Sequence, residues 1–127
     1  MNRQYLYLKG YDWAVTVYYP VTARCVDVIM SHLHSIGCRG DDLMTAWTNL
    51  SSGKWDTGLT YSDYKGRRSV VVVGVATTFG ELMNSVSHEI HHLSVHIAEA
   101  NDLDLRGEEV CYIDGKLTQL VYEIPIV

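Results

Sequence analysis

Hydrophobic and polar residues follow two periods along this chain, that of a strand and that of an amphipathic helix. Short runs rich in β-branched and aromatic residues, bounded by turn residues, are typical of strands. Apolar residues at i, i+3, i+4 and i+7 are typical of a helix with one buried face. The pattern predicts strands at residues 5–9, 13–19, 58–62 and 69–75, and helices at residues 23–36, 41–50, 79–100 and about 106–122.

The predicted strand at 69–75 is apolar at nearly every position, which is typical of a central strand covered on both faces. Its neighbour at 58–62 is more polar and alternates, so we expect it at the edge of the sheet. An edge strand can pair with an extended peptide, although a simple role as hairpin partner of 69–75 is the interpretation we favour. Residues 5–9 and 13–19 form another predicted hairpin.

The longest predicted helix begins at a recognisable cap. Thr78 is followed three residues later by Glu81, the arrangement of a capping box. Its predicted buried face consists of Phe79, Leu82, Met83, Val86, Ile90, Leu93 and Ile97.

This helix carries the sequence His-Glu-x-x-His at His88, Glu89 and His92. The two histidines are one turn apart, about 6 Å along the axis, and project from one face. Each can offer a ring nitrogen to one tetrahedral Zn²⁺. Zinc lowers the pKa of a bound water, and a carboxylate beside that water can accept its proton and pass it to a leaving group. The motif therefore predicts His88 and His92 as metal ligands and Glu89 as a general base.

The alternative interpretation of the motif is an exposed helix face that is merely rich in histidine. Four of the six histidines lie within residues 88–96, which favours a metal site. His96 lies about 12 Å along the helix from His88, too far for the same ion. His91 points roughly 60–100° away from either motif histidine, so we expect both to be surface or packing residues. We also expect His32 and His34, on the helix at 23–36, at the surface.

Charge is distributed unevenly along the chain. Residues 1–70 contain eight Lys or Arg and six Asp or Glu, a net charge of +2, whereas residues 71–127 contain two and nine, a net charge of −7. The acidic half carries the histidine motif, where a cation would offset repulsion. No basic stripe is present, which disfavours nucleic acid as a partner.

Length and composition are those of a single globular domain of 127 residues, 47% of them hydrophobic. No apolar run is long enough to span a bilayer and no secretory leader is recognisable, so we expect a cytoplasmic protein without a membrane partner. The three cysteines form no C-x-x-C pair, which indicates reduced, structural thiols.

A catalytic zinc site needs a third protein ligand from a second element. The carboxylates within reach in the sequence are Asp102, Asp104, Glu108 and Glu109. The motif helix continues about 12 Å beyond His92, so a returning helix regains that distance only after several residues, which favours the glutamates. The two glutamates point about 100° apart, so only one can face the ion, and Glu109 shares a face with Ile113.

The motif, followed by Glu108, Cys111 and Tyr112 in an Glu-x-x-Ala-Tyr pattern with Cys in place of Ala, resembles the small zincin-like metallopeptidases of phages and mobile elements. The resemblance covers roughly residues 57–122 and is firmest over 87–112. It implies a minimal zincin-like α+β fold, in which a small, mostly antiparallel sheet packs against the active-site helix and other helices. It also implies Glu108 as the third ligand, and we keep Glu109 as the first reserve.

Tyr112 shares a helical face with Glu108 and is a candidate to donate a hydrogen bond to a developing oxyanion; the alternative is a tyrosine packed between two helices. The predicted function is a zinc-dependent peptidase acting on a peptide or protein. The alternatives are a non-catalytic zincin-like metal-binding or protein-interaction domain, and an interaction protein without metal. Glu89 favours catalysis, since a structural zinc ion needs no general base.

Overall fold

A four-stranded mixed sheet forms the centre of the fold in a computed structural model that describes residues 2–127. The strands are β1 (Arg3–Leu8), β2 (Trp13–Tyr18), β3 (Leu59–Asp63) and β4 (Arg68–Val72), in the spatial order β1-β2-β4-β3. The β1–β2 and β3–β4 pairs are antiparallel, as the two predicted hairpins require, whereas β2 and β4 are parallel. The expected sheet was mostly antiparallel, and its one parallel pairing joins the two hairpins at the centre.

Four α-helices cover the two faces of the sheet. They are α1 (Val26–Ser35), α2 (Gly40–Ser51), α3 (Phe79–Ala100) and α4 (Glu108–Glu123). The chain passes through α1 and α2 between β2 and β3, on one face, and α3 and α4 pack on the other. The coarse α+β class is therefore as expected. No helix in residues 2–127 combines the length and apolar character that crossing a membrane requires.

β4 separates two hydrophobic cores. Val71 and Val73, the residue directly after β4, point into the core beneath α3 and α4, whereas Val70 and Val72 point into the core beneath α1 and α2. All four side chains are buried, so the prediction of a central strand covered on both faces is confirmed. Burying a valine contributes about 1.5–3 kcal/mol relative to leaving it exposed, which explains why a continuous valine run occupies this strand.

The start of α3 follows the predicted cap. The Glu81 backbone N–H donates a 3.1 Å hydrogen bond to the Thr78 hydroxyl oxygen, and the Glu81 carboxylate accepts from the hydroxyls of Thr77 and Thr78. The predicted buried face is correct from Val86 onward. Leu82 packs against the core and is partly buried, whereas Phe79 is 73% exposed and Met83 is 38% exposed.

Two local predictions on the other helices are corrected. The helix predicted from residue 23 begins at Val26, because residues Ala23–Cys25 form a short 3₁₀ turn before it. His32 is half-buried rather than at the surface, because the Tyr18 hydroxyl lies 2.8 Å from its Nδ1. His34 is exposed as expected, and the three cysteines are free thiols.

Candidate functional site

His88 and His92 direct their rings toward one another on the exposed side of α3. Their Nε2 atoms are 3.1 Å apart, and the ring planes meet at 74°. Two nitrogens bound to one tetrahedral zinc ion at about 2.0–2.1 Å would be separated by about 3.3 Å. The pair therefore fits two corners of a tetrahedral zinc site, and the structure brings these two predicted ligands together.

Glu89 points from the same helix toward the edge strand β3 and is only 6% exposed. The Thr60 hydroxyl donates a 2.9 Å hydrogen bond to its Oε1, and lies 3.3 Å from its backbone carbonyl oxygen. A Cβ atom at Gly58 would lie 2.5 Å from the Glu89 Oε2, so only glycine leaves room for the carboxylate here. The edge strand thus fixes the position of the predicted base.

A pocket of about 250 Å³ opens beside these residues. His88 and Glu89 line one side of it. Its other lining residues are Asp56, Thr57, Gly58, Gly74, Asn84 and Ser85. A predicted ligand and the predicted base are therefore accessible to one bound molecule.

A larger groove of about 590 Å³ runs along β3, and we call it the β3 groove. Residues 57–62 form its floor, α2 forms one wall, and His96 on α3 lines the opposite side. It shares Thr57 and Gly58 with the pocket beside His88, so the two cavities are adjacent. In the described part of the chain no strand pairs with the outer edge of β3, which confirms the edge-strand prediction.

His96 is a packing residue, in agreement with the sequence. Its Nδ1 lies 2.7 Å from the hydroxyl of Ser62, which in turn lies 2.6 Å from the Ser69 hydroxyl. The Trp13 indole N–H donates a 2.8 Å hydrogen bond to Ser69, completing a chain of contacts across the sheet. Burial is the main cause that lowers the pKa of His96 from its ordinary value of 6.5.

The structure does not bring Glu108 to the two histidines. Asp114 on α4 lies 3.4 Å from the Nδ1 of His91, so this is the part of α4 that is level with the motif. Glu108 is exposed and precedes Asp114 by six residues, about 9 Å along the axis toward the end of α3. Within residues 2–127 no three His, Cys, Asp or Glu side chains converge in a group that could hold a metal ion.

Two further predicted residues of α4 have other surroundings. Glu109, the reserve ligand, accepts a 2.9 Å hydrogen bond from the Tyr11 hydroxyl at the end of the β1–β2 hairpin. Tyr112 is 64% exposed, and lines neither the β3 groove nor the pocket beside His88. It is also too exposed for the alternative role of a tyrosine packed between two helices.

Sequence reasoning missed the residues that β3 and its preceding loop contribute. Thr60 and Gly58 hold and accommodate Glu89, and Asp56 is the acidic residue brought to the pocket beside His88. The only signal for them was the polar character of the predicted edge strand. Their contacts with α3 join residues about thirty positions apart, which periodicity does not reveal.

Comparison of the chain with models of known protein families, with curated proteins and with solved structures found no significant match.

Proposed function

We propose that this chain is a zincin-like, zinc-dependent peptidase, with His88 and His92 as zinc ligands and Glu89 as the general base. The observation that carries the proposal is the 3.1 Å approach of the two Nε2 atoms beside a carboxylate that is buried against an edge strand. A helix surface that is merely rich in histidine would not require a buried carboxylate beside the two histidines. The buried, hydrogen-bonded Glu89 therefore supports an active site rather than a chance run of histidines.

Each residue has a defined task in this proposal. Zinc, when bound, would supply a Lewis acid that lowers the pKa of water and polarises the scissile carbonyl. Glu89 would accept a proton and return it to the leaving amine. Thr60 keeps the Glu89 carboxylate in one orientation, and the free edge of β3 would align an extended peptide beside it.

The sequence and the structure favour different residues as the third zinc ligand. The resemblance implies Glu108, which stands about 9 Å from the level of the motif. Asp56 lines the same pocket as His88 and is therefore the stronger candidate for a zinc-binding carboxylate.

The absence of a converged third ligand among residues 2–127 is the one observation that favours a second candidate, a non-catalytic zincin-like domain. Such a domain could bind metal weakly through the two histidines, or bind a protein partner without metal. In a non-catalytic domain, substitution of Glu89 would change no rate of hydrolysis.

Metal content and hydrolysis of the same preparations test the proposal. Protein reconstituted with zinc and dialysed should retain one zinc ion per chain, which His92→Ala should lose and His96→Ala should keep. Glu89→Gln should keep zinc but lower hydrolysis of a peptide library by about 10²–10⁴-fold. Equal zinc loss from both histidine variants would contradict the ligand pair, and zinc loss from Glu89→Gln would make Glu89 a ligand rather than a base.

A further inference from the structure

The wall of the β3 groove that faces away from the motif helix is built by α2, which lies outside the part of the chain that carries the zincin-like pattern. Asp42, Thr45, Ala46 and Asn49 line this wall along successive turns of the helix. The groove therefore has two unlike sides, with His96 of α3 on one side and a largely polar face of α2 on the other.

Asp42 is the only Asp, Glu, Lys or Arg among the residues that line the β3 groove. It is exposed, and the ion pairs formed within residues 2–127 do not include it. After burial, its charge is among the causes that raise the pKa values of Cys38 and Tyr61, and the charge of Arg39 acts on both in the opposite direction. The nearby cation, Arg39, donates to the backbone carbonyl oxygens of His34 and Cys38 and does not line the groove.

Side chains of a strand added to β3 would alternate between the two walls, as those of β3 itself do. Leu59 and Tyr61 pack toward α1 and α2, whereas Thr60 and Ser62 contact Glu89 and His96 on α3. Every second side chain of such a strand would therefore face α2. A side chain opposite Asp42 would meet a carboxylate that forms no ion pair within residues 2–127.

We propose that the β3 groove binds an extended peptide segment with a Lys or Arg side chain placed against Asp42, so that α2 selects a basic residue in the ligand. This inference rests on the proposed function for its substrate class, a peptide, and deepens it by naming the side chain that is recognised. A charge pair on this exposed carboxylate discriminates mainly between opposite charges, and salt weakens it.

The test uses the full chain with Glu89→Gln, so that no peptide is consumed. The probe is a fluorescent, acetylated peptide of seven residues, alternating Val and Thr, with Lys, norleucine or Glu at its centre. Anisotropy at low salt should give Kd values in the order Lys, norleucine, Glu, with about three- to tenfold between Lys and Glu. Asp42→Lys should invert the order, and Asp42→Asn should abolish the difference.

Asp41 provides a matched control, because it also lies in the first turn of α2 but does not line the groove. Asp41→Lys makes the same change in net charge and in helix-dipole interaction, and should leave the Lys preference intact. An inverted order in both lysine variants would show a long-range charge effect and overturn the inference. An unchanged order in Asp42→Lys, or no binding of any of the peptides, would also overturn it.

Peptide binding and peptide hydrolysis, each measured on zinc-free and zinc-loaded protein, separate this inference from the proposed function. A Lys preference that depends on Asp42, in a protein that hydrolyses nothing, would support the groove and contradict the peptidase. Hydrolysis by the wild-type chain with no preference among the peptides would contradict the groove and leave the peptidase in place.

Discussion

The Thr60 hydroxyl donates a 2.9 Å hydrogen bond to the carboxylate of Glu89, joining the edge strand β3 to the motif helix α3. Gly58, two residues earlier, leaves the space that the same carboxylate fills. A substitution at Thr60 or Gly58 should therefore affect both the stability of the sheet edge and the position of Glu89.

Thr60→Val should destabilise the fold by about 1.5–3 kcal/mol, because it removes a hydrogen bond to a carboxylate while keeping a β-branched side chain. Urea unfolding monitored by tryptophan fluorescence measures this loss. Thr57→Val is the control, since Thr57 is exposed at the same end of the groove, and its effect should stay within about 0.5 kcal/mol. Equal losses of unfolding free energy in both variants would show that the hydrogen bond between Thr60 and Glu89 does not stabilise the fold.

Gly58→Ala should be strongly unfavourable, because the new Cβ would lie 2.5 Å from the Glu89 Oε2 and 2.8 Å from the Val72 backbone oxygen. We expect a loss above about 2 kcal/mol and, if the proposed function holds, lower hydrolysis through displacement of Glu89. Chemical denaturation and the peptide-library assay measure the two effects.

Gly115→Ala serves as the matched comparison within α4. A Cβ at Gly115 would have no heavy atom within 4 Å, so this glycine is a weak point of the helix and not a point of close helix approach. The alanine should stabilise the chain by about 0.5–1 kcal/mol, because it restricts the unfolded backbone and has higher helix propensity. A destabilising Gly115→Ala would contradict the open surroundings of this position.

His96 should make the stability of the metal-free protein depend on pH. Burial lowers its folded-state pKa below 6.5, so as pH falls through about 6.5 the unfolded chain takes up the proton first and stability decreases. His96→Gln should show a shallower decrease in unfolding free energy between about pH 7 and pH 5, measured in EDTA. His32 titrates in both proteins, so the difference between them reports His96.

The zinc affinities of Asp56→Asn and Glu108→Gln decide the third ligand. From their positions, we expect Asp56→Asn to weaken zinc binding by more than about tenfold and Glu108→Gln by less than about threefold. Competition with a chromogenic zinc chelator measures both, with Glu109→Gln as a control for lost negative charge. The reverse result would restore Glu108, and would require α4 to shift along α3 when the ion binds.

The sequence by itself determined the features that depend on local periodicity. The helical repeat fixes His88 and His92 on one face whatever the helix packs against, and the capping box at Thr78 needs only four residues to form. The valine run of β4 likewise identifies a strand buried on both faces, because no solvent-exposed face would tolerate it.

Only the tertiary structure decided how distant elements meet. The parallel pairing of β2 with β4, the burial of His32 beneath Tyr18, and the contact of Thr60 with Glu89 each join segments whose separation no periodic pattern encodes. The position of Glu108 shows the reason most clearly. Its place relative to the motif depends on where α4 begins beside α3, and that is set by the path of residues 101–107 and by side-chain packing between the helices.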